Sequence, residues 1–156
     1  LNDVLPELVK QNIELEVISD QLPTLDYPFH FTKWSYNSSP ESLLKGDAVI
    51  SPRATNNPYD LGHSHFKIAV CMAQGIPAIA SALPSYEELI SQTKGGIIVR
   101  TPSDWHAALS ETQHNRALLQ EFGDAAYAGM QKFSTEVIAK QYARFFQTLL
   151  THHSTK

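Results

Sequence analysis

Hydrophobic positions change their period between residues 63 and 90, and this change gives the clearest prediction of local structure. Four apolar residues recur there at the i, i+3, i+4, i+7 spacing of a helix, namely Phe66, Ala69, Val70 and Ala73. Gly75 and Pro77 end that helix, and residues 77–80 form a short apolar run typical of a strand buried on both faces of a parallel sheet. Ser85 then begins a second helix. The stretch therefore predicts a helix, a strand and a helix in succession.

The loops on either side of this unit are expected to meet. One lies before His65 and follows the preceding strand, and the other follows Ser81. In a parallel sheet with helical connections, both loops lie at the edge formed by the carboxyl ends of the strands, which is where ligands bind. Residues that bind a ligand are therefore expected at this edge.

The rest of the chain divides into alternating strands and helices. Strands are predicted at residues 13–18, 29–34, 47–50 and 97–99, and helices at the start of the chain near Asn2, at residues 39–44, from Thr101 onward, at 116–130 and at 136–150. The polar loop at 51–62 is longer than the usual connection of about 4 to 6 residues, and long loops in compact domains often carry function. The predicted class is α/β, an open parallel sheet with helices on both faces.

The last predicted helix carries an apolar stripe formed by Ile138, Tyr142, Phe145 and Leu149. Packing of this stripe against the domain's own sheet is the commoner outcome for such a helix. Phe146 and Leu150 widen the stripe, however, and a wide apolar face also suits contact with a neighbouring domain. The pattern leaves both interpretations open.

Composition narrows the classes of protein to a globular domain. The chain has 156 residues, of which 42% are hydrophobic and 18% charged, which fits one domain with a core of its own. The net charge is −4 and the basic residues are scattered singly, which argues against a nucleic-acid face. The single cysteine, Cys71, provides neither a disulfide framework nor a zinc site and suits a reducing cytoplasm. No signal peptide or spanning apolar run of about 18 residues is present.

Positive side chains near the start of the predicted helix suggest an anion site. Ser64 is a candidate N-cap, which places His65 and Lys67 in the first turn. A lysine there is disfavoured by about 0.3 to 1 kcal/mol by the helix dipole, unless an anion is bound. With His63 nearby, these groups predict a phosphate-sized site, and the alternative is that all of them are solvated surface residues.

Further candidates lie in the neighbouring loops. Ser85 and Glu88 match a capping box, which gives Glu88 a structural explanation, whereas Glu87 is available to accept hydrogen bonds from sugar or ribose hydroxyl groups. Trp34, at the end of its strand, either stacks on a base or is buried. Arg53 follows the strand at 47–50 and either forks onto a phosphate or is solvated.

Several well-marked motifs are missing from the sequence. It contains no Gly-x-Gly-x-x-Gly after a strand, no phosphate loop ending Gly-Lys-Ser or Gly-Lys-Thr, and no Gly-x-Ser-x-Gly elbow. His63 and His65 lack a nearby carboxylate or cysteine that would complete a metal set. Dinucleotide, triphosphate, hydrolase and metal sites are therefore not predicted.

These pieces, in this order, resemble the carboxyl-terminal, donor-binding domain of GT-B glycosyltransferases, most like the family 4 (group 1) retaining enzymes. The resemblance rests on Lys67 followed by the run Met-Ala-Gln-Gly-Ile-Pro-Ala-Ile-Ala-Ser at residues 72–81, on Glu-Leu-Ile at 88–90, on Gly-Ile-Ile-Val at 96–99 and on the Asp-to-Pro strand at 47–52. It covers most of the chain. It implies a single Rossmann-like domain, residues 1–156, that forms one half of a GT-B fold.

By this resemblance the domain binds a nucleotide diphosphate sugar and needs no other cofactor. Diphosphate ligands would be Ser64, His65 and Lys67, and the same edge carries Ser85, Tyr86 and Glu87. The base would lie near the loop after Trp34, and Glu88 would contact the ribose or the sugar. Catalysis would be electrostatic, since Lys67 or Arg53 would stabilise the leaving diphosphate without a metal. No catalytic residue is assigned.

The sequence also departs from the family pattern. The family has two glutamates eight residues apart, at positions that match Gly62 and Val70, so the donor would be held instead by His63, Lys67 and Arg53, or bound weakly. Family domains have six parallel strands, of which five are predicted here, and the missing one would be central. The chain starts at Leu1 without a methionine, so we expect a fragment that lacks the acceptor domain and is inactive alone.

Three functions are compatible with this pattern. The first is the donor-binding part of a hexosyltransferase of polysaccharide biosynthesis, which uses a glycan or lipid-linked acceptor. Its partner would be an amino-terminal acceptor domain packed on residues 136–150, with peripheral membrane association of the full-length enzyme and no nucleic acid. The second is a receiver-like signalling module, which would need acidic residues at the carboxyl ends of strands, whereas Asp47 begins its strand. The third is a non-catalytic glycosyltransferase-like scaffold or nucleotide-binding module.

Overall fold

Five parallel strands form where the sequence has its short apolar runs. In a computed structural model that describes the backbone of residues 12–153 and the side chains of residues 12–151, they are β1 (Glu16–Ser19), β2 (His30–Lys33), β3 (Val49–Ser51), β4 (Ala78–Ser81) and β5 (Gly96–Val99). All five predicted strands are thus confirmed, although their bounds shift by one to three residues. The helix predicted near Asn2 lies outside the described residues.

Helices connect most of these strands. They are α1 (Ser39–Leu43), α2 (Pro58–Leu61), α3 (Phe66–Met72), α4 (Pro84–Thr93), α5 (Pro102–His114), α6 (Arg116–Met130) and α7 (Thr135–His153), with a 3₁₀ turn at Gln131–Phe133. The bounds predicted for α6 are confirmed to the residue. The prediction of a loop throughout 51–62 is wrong, because Asn57 caps the short helix α2 by accepting a hydrogen bond from the Asp60 amide at 2.8 Å.

The α/β class is confirmed, but the described strands form two parallel sheets rather than one. β1 pairs with β2, and β3, β4 and β5 pair in that order. β4 is the central strand of the second sheet, and all four of its residues are buried. This explains why its sequence is a continuous apolar run instead of an alternating one.

Helices cover both faces of the three-stranded sheet. Ala78 and Ala80 of β4 point to a core shared with α3, α4 and α6, whereas Ile79 points to the opposite core, shared with α5 and Tyr27. Alternate side chains of this one strand therefore belong to two hydrophobic cores on opposite faces of the sheet. The result is a helix–sheet–helix sandwich whose loops lie at the amino and carboxyl ends of the strands.

A cavity of about 750 Å³ lies between the two sheets. Its walls include Glu16 and Ile18 of β1 and Val49 and Ile50 of β3, which are strands that end their respective sheets. The cavity therefore lies between two edge strands, β1 and β3, that belong to different sheets.

The apolar stripe of α7 does not pack against the sheet. Tyr142, Phe145, Phe146, Leu149 and Leu150 are all exposed, by 47 to 70%. From Tyr142 onward, the interpretation that this stripe belongs to the domain's own core is therefore wrong, whereas Ile138, the first residue of the stripe, is half-buried.

Candidate functional site

The carboxyl ends of β3 and β4 are tied together by side chains. The Arg53 amide donates to the Ser81 hydroxyl at 2.8 Å, and the Ser51 hydroxyl donates to the Tyr86 hydroxyl at 3.0 Å. Both serines are buried and end their strands. These bonds set the path of the long loop as it leaves the sheet.

Arg53 lies at the centre of a polar cluster in this loop. Its Nη1 is 3.4 Å from Asp60 Oδ1, and its Nη2 is 2.9 Å from His63 Nε2. Asn57 donates to the other Asp60 oxygen at 2.8 Å. The Arg53 side chain is only 23% exposed, so it is not the freely solvated residue that the alternative prediction described, and its partner Asp60 is 16% exposed.

His63 connects this cluster to α4. Its carbonyl oxygen accepts a 2.6 Å hydrogen bond from the Ser85 hydroxyl, and its ring lies 5.8 Å from that of Tyr59. The loop before His65 and the loop after Ser81 therefore lie side by side, which confirms the expectation that they meet at one sheet edge.

The start of α3 differs from the prediction by one residue. His65, not Ser64, is the N-cap residue, and no side chain caps this end of the helix. Lys67 is still in the first turn and is exposed, as is Ser64, while the His65 ring packs 6.4 Å from Phe133. Lys67 is thus presented to solvent, whereas His65 is turned toward the 3₁₀ segment.

The capping box predicted for α4 is wrong. The helix begins at Pro84 with Leu83 as N-cap, and the Ser85 hydroxyl is used on the His63 carbonyl instead. Glu88 is exposed and accepts a hydrogen bond from Gln92 at 3.2 Å. The structural explanation for Glu88 is therefore removed, and its carboxylate lies on the outer surface of the helix.

Glu87 is an ion-pair partner of Arg100, which follows β5. Both side chains are partly exposed, at 39% and 60%. Next to this pair, the amides of Arg100 and Thr101 donate to Asp104, at 2.9 and 3.0 Å, and hold the pKa of that carboxyl below its usual range. The carboxyl end of β5 thus carries its own charged groups beside those of β3 and β4.

Two further candidates differ in accessibility. Tyr86 is fully buried, and its hydroxyl accepts the hydrogen bond from Ser51. It therefore links α4 to the end of β3 and has no exposed surface for a ligand. Trp34 follows β2 and is 52% exposed, so the prediction that it is buried is wrong. Its indole is available for stacking.

Asp60, Ser81 and Arg100 were missed by sequence reasoning. Each belongs to the site through a partner between 7 and 28 residues away in the chain. The one available signal was that Asp60 lies in the same Pro- and Asn-rich loop as Arg53, so that an acid and a base share one segment.

Asp47 lies at the opposite, amino-terminal edge of the sheet. It pairs with Arg116 at 2.6 Å and raises the pKa of that guanidinium. A receiver-like module needs acids at the carboxyl edge, so this placement argues against that function. The cavity between the sheets is also lined by Asp47 and Arg116, and it is therefore distinct from the Arg53 cluster.

Neither a metal cluster nor a membrane helix is found in the described part of the chain. No three histidine, cysteine or acidic side chains among residues 12–151 are grouped to hold a metal ion. None of the helices within residues 12–153 combines the length and the apolar character that crossing a bilayer requires.

Comparisons with known proteins identify the fold. No protein-family model matches the chain. Over 83 residues, or 51% of the chain, it is 31% identical to the exopolysaccharide phosphotransferase SCO2592 of Streptomyces coelicolor, of which the match spans 9%. It superposes on the crystal structure of WaaG, a glycosyltransferase involved in lipopolysaccharide biosynthesis, with a TM-score of 0.63 and 15% identity, over 83% of this chain and 37% of that one. The chain has the fold of one half of a GT-B glycosyltransferase.

In this GT-B half, the Arg53 cluster lies at the carboxyl edge of β3 and β4. That is the edge at which open α/β sheets bind their ligands. The positions matching the family's two glutamates, Gly62 and Val70, are both exposed and carry no carboxylate. Of the basic residues predicted for this edge, Arg53 and His63 are in contact, and Lys67 is exposed in the first turn of α3.

Proposed function

We propose that the chain is the donor-binding domain of a glycosyltransferase that transfers a sugar from a nucleotide diphosphate sugar to a glycan or lipid-linked acceptor. The observation that carries this proposal is the Arg53 cluster at the ligand edge of a GT-B half fold. The polysaccharide-related names of both similar proteins support the substrate class.

The diphosphate would bind between the loop after β3 and the start of α3. The Arg53 guanidinium and the exposed Lys67 ammonium would supply the positive charge, and the planar guanidinium matches phosphate oxygens in pairs. As the bond between sugar and diphosphate breaks, charge on the leaving group grows, and these cations stabilise it. His63 contributes a third nitrogen to the same site.

The other parts of the donor would extend along the same edge. Trp34 offers an exposed indole for the base, and the exposed carboxylate of Glu88 offers acceptors for sugar or ribose hydroxyl groups. Glu87 would first have to leave Arg100.

The second half of the enzyme would cover the apolar stripe of α7. Phe145 and Phe146 lie with their ring centroids 5.8 Å apart and are both more than half exposed. Aromatic side chains are enriched at the centres of protein interfaces. We therefore assign the acceptor domain to this face.

The cavity between the sheets would receive one further parallel strand. The carbonyls of Leu15 and Ser19 accept hydrogen bonds from the β2 side, so the backbone groups of Ile18 point away from β2 and toward the cavity. The Val49 amide donates to the Pro77 carbonyl beside β4, so the backbone groups of Ile50 point away from β4 and also toward the cavity. An apolar five-residue strand fused ahead of residue 1 should raise the Tm and slow amide exchange at Ile18 and Ile50. A proline-interrupted fusion is the control, and equal effects of both fusions would contradict the assignment.

Nucleotide titration tests the central proposal. UDP, GDP and ADP are titrated calorimetrically into the chain and into Lys67→Ala and Arg53→Ala, with Lys140→Ala as a control on the exposed surface of α7. Loss of one charge-assisted contact worth about 1.5 to 3 kcal/mol predicts a loss of affinity of about ten- to a hundredfold in the first two variants only. If none of the three nucleotides binds the parent chain, the scaffold function is favoured.

The similarity to a phosphotransferase supports a second candidate, transfer of a sugar phosphate. In glycosyl transfer the bond from the anomeric carbon to oxygen breaks and a nucleoside diphosphate leaves. In sugar-phosphate transfer a phosphorus–oxygen bond breaks and a nucleoside monophosphate leaves. Chromatography of the nucleotide product of the two-domain enzyme distinguishes the two reactions.

A further inference from the structure

The contact between Arg53 and His63 determines the hydrogen-bonding role of one ring nitrogen of the histidine. A guanidinium has only donors, so the Nε2 atom of His63, 2.9 Å from Arg53 Nη2, must accept the hydrogen bond. An imidazole that accepts at Nε2 is neutral and carries its proton on Nδ1. In this contact the Nε2 atom of His63 therefore carries no proton.

The groups around His63 leave the cluster without net charge. Arg53, from the loop after β3, contributes one positive charge, and Asp60, from α2, contributes one negative charge at 3.4 Å from it. Tyr59 of α2 faces the ring at 5.8 Å, and α4 contributes the neutral hydroxyl of Ser85 to the His63 carbonyl. A multiply charged anion that enters this cluster meets a guanidinium already neutralised by its neighbour.

We propose that anion binding at this site is coupled to the uptake of one proton by His63. This proposal rests on the proposed function and goes further by naming how the site acquires its charge. The incoming phosphate oxygens replace His63 Nε2 as the acceptor of the hydrogen bond from Arg53 Nη2–H. The Nε2 atom of His63 then accepts a proton from solvent. The new Nε2–H then donates to the anion. Histidine is the side chain suited to this change, since its charge can change between about pH 5 and 8.

The coupling has a measurable signature. Ligand affinity should rise as the pH falls, by up to about tenfold per pH unit where one whole proton is taken up. Phosphate ligands titrate in the same range, so the comparison is made with His63→Gln, whose amide oxygen can replace Nε2 as an acceptor but cannot be protonated there. The protonation of the phosphate ligand itself contributes equally with both proteins, so it cancels from the difference between the parent chain and His63→Gln.

Calorimetry of pyrophosphate binding in two buffers of different ionisation enthalpy counts the protons directly. We expect the parent chain to take up about one proton more than His63→Gln near neutral pH, and His30→Gln, altered at an exposed histidine of β2, to match the parent. Binding with equal uptake in the parent chain and His63→Gln would overturn this inference alone. No binding of pyrophosphate or nucleotide to the parent chain would overturn the proposed function as well.

Nuclear magnetic resonance of the parent chain tests the starting state without any variant. Histidine nitrogen shifts at about pH 8 should report the Nδ1–H tautomer for His63 and a change to the doubly protonated ring when pyrophosphate is added. An Nε2–H tautomer in the free chain, or a ring that stays neutral in the complex, would contradict the proposal even if His63→Gln failed to fold.

Discussion

Replacement of Gly123 by alanine tests the packing that holds the Gly-x-Pro turn in place. Gly123 is buried in the middle of α6, and a Cβ added there would lie 2.6 Å from the carbonyl oxygen of Gly75. Gly75 has a φ of +80°, and Pro77 follows it, so this backbone cannot move aside as a flexible side chain would. The turn and the helix must separate instead.

Two opposing effects decide the sign of the change. Alanine is the better helix former by about 0.8 to 1 kcal/mol, so Gly123→Ala would stabilise the fold if the site were open. Overpacking against fixed backbone costs about 1 to 3 kcal/mol, and at 2.6 Å we expect the clash to exceed the gain. For a chain of this size the Tm should fall by about 2 to 4 °C per kcal/mol of net loss.

Thermal and urea unfolding followed by circular dichroism measure this difference. Ala128→Gly, at an exposed position of the same helix, is the matched control and should lose only the propensity term of about 1 kcal/mol. A Gly123→Ala protein with a higher Tm than the parent would show that α6 and the turn are not in the close contact described.

Three further predictions follow from burial and charge. Asp104, whose pKa is lowered by hydrogen bonds from the Arg100 and Thr101 amides, should stabilise the fold above its unfolded pKa of about 3.9 and lose this effect as pH falls through the lower folded value. The stability difference between the parent and Asp104→Asn should therefore vanish in acid urea titrations, and a constant difference would argue against it. Burial raises the pKa of the Cys71 thiol to about 11, so native thiol labelling near pH 8 should be far slower than in urea, and stability should decline as pH rises from about 8.5 toward 11. Phe145→Ser should leave the Tm of the chain within about 2 °C, because this side chain is 57% exposed, and a larger fall would show that α7 packs on the sandwich.

Local patterns predicted the elements whose cause is local. The bounds of α6 and the start of α5 at Thr101 depend on residues close in the chain, and at the start of α5 the structure shows Thr101 and Asp104 exchanging hydrogen bonds. The position of strand β4 could be predicted because a strand buried on both faces has a continuous run of mainly apolar residues. Tertiary structure did not have to be known for any of these.

The site could be predicted only as a region, because its bonds are long-range. Ser85 has the sequence context of a capping residue, yet its hydroxyl bonds to the His63 carbonyl 22 residues away. Arg53 has the sequence context of a free phosphate ligand, yet it pairs with Asp60. In both cases the hydrogen-bond partner depended on how the long loop folds back on itself.

The pairing of Arg53 with Asp60 determines how selective the site can be. A guanidinium that already has a carboxylate partner gains less from a single weak anion than a free one, since the existing bond must be exchanged. A diphosphate offers several oxygens at once, and with Lys67 and a protonated His63 as further partners it would replace the whole set of bonds. We therefore expect the cluster to discriminate by charge, with pyrophosphate or a nucleoside diphosphate binding more tightly than monophosphate or sulfate. Equal affinities for pyrophosphate and sulfate at one pH would mean that Asp60 does not compete for Arg53.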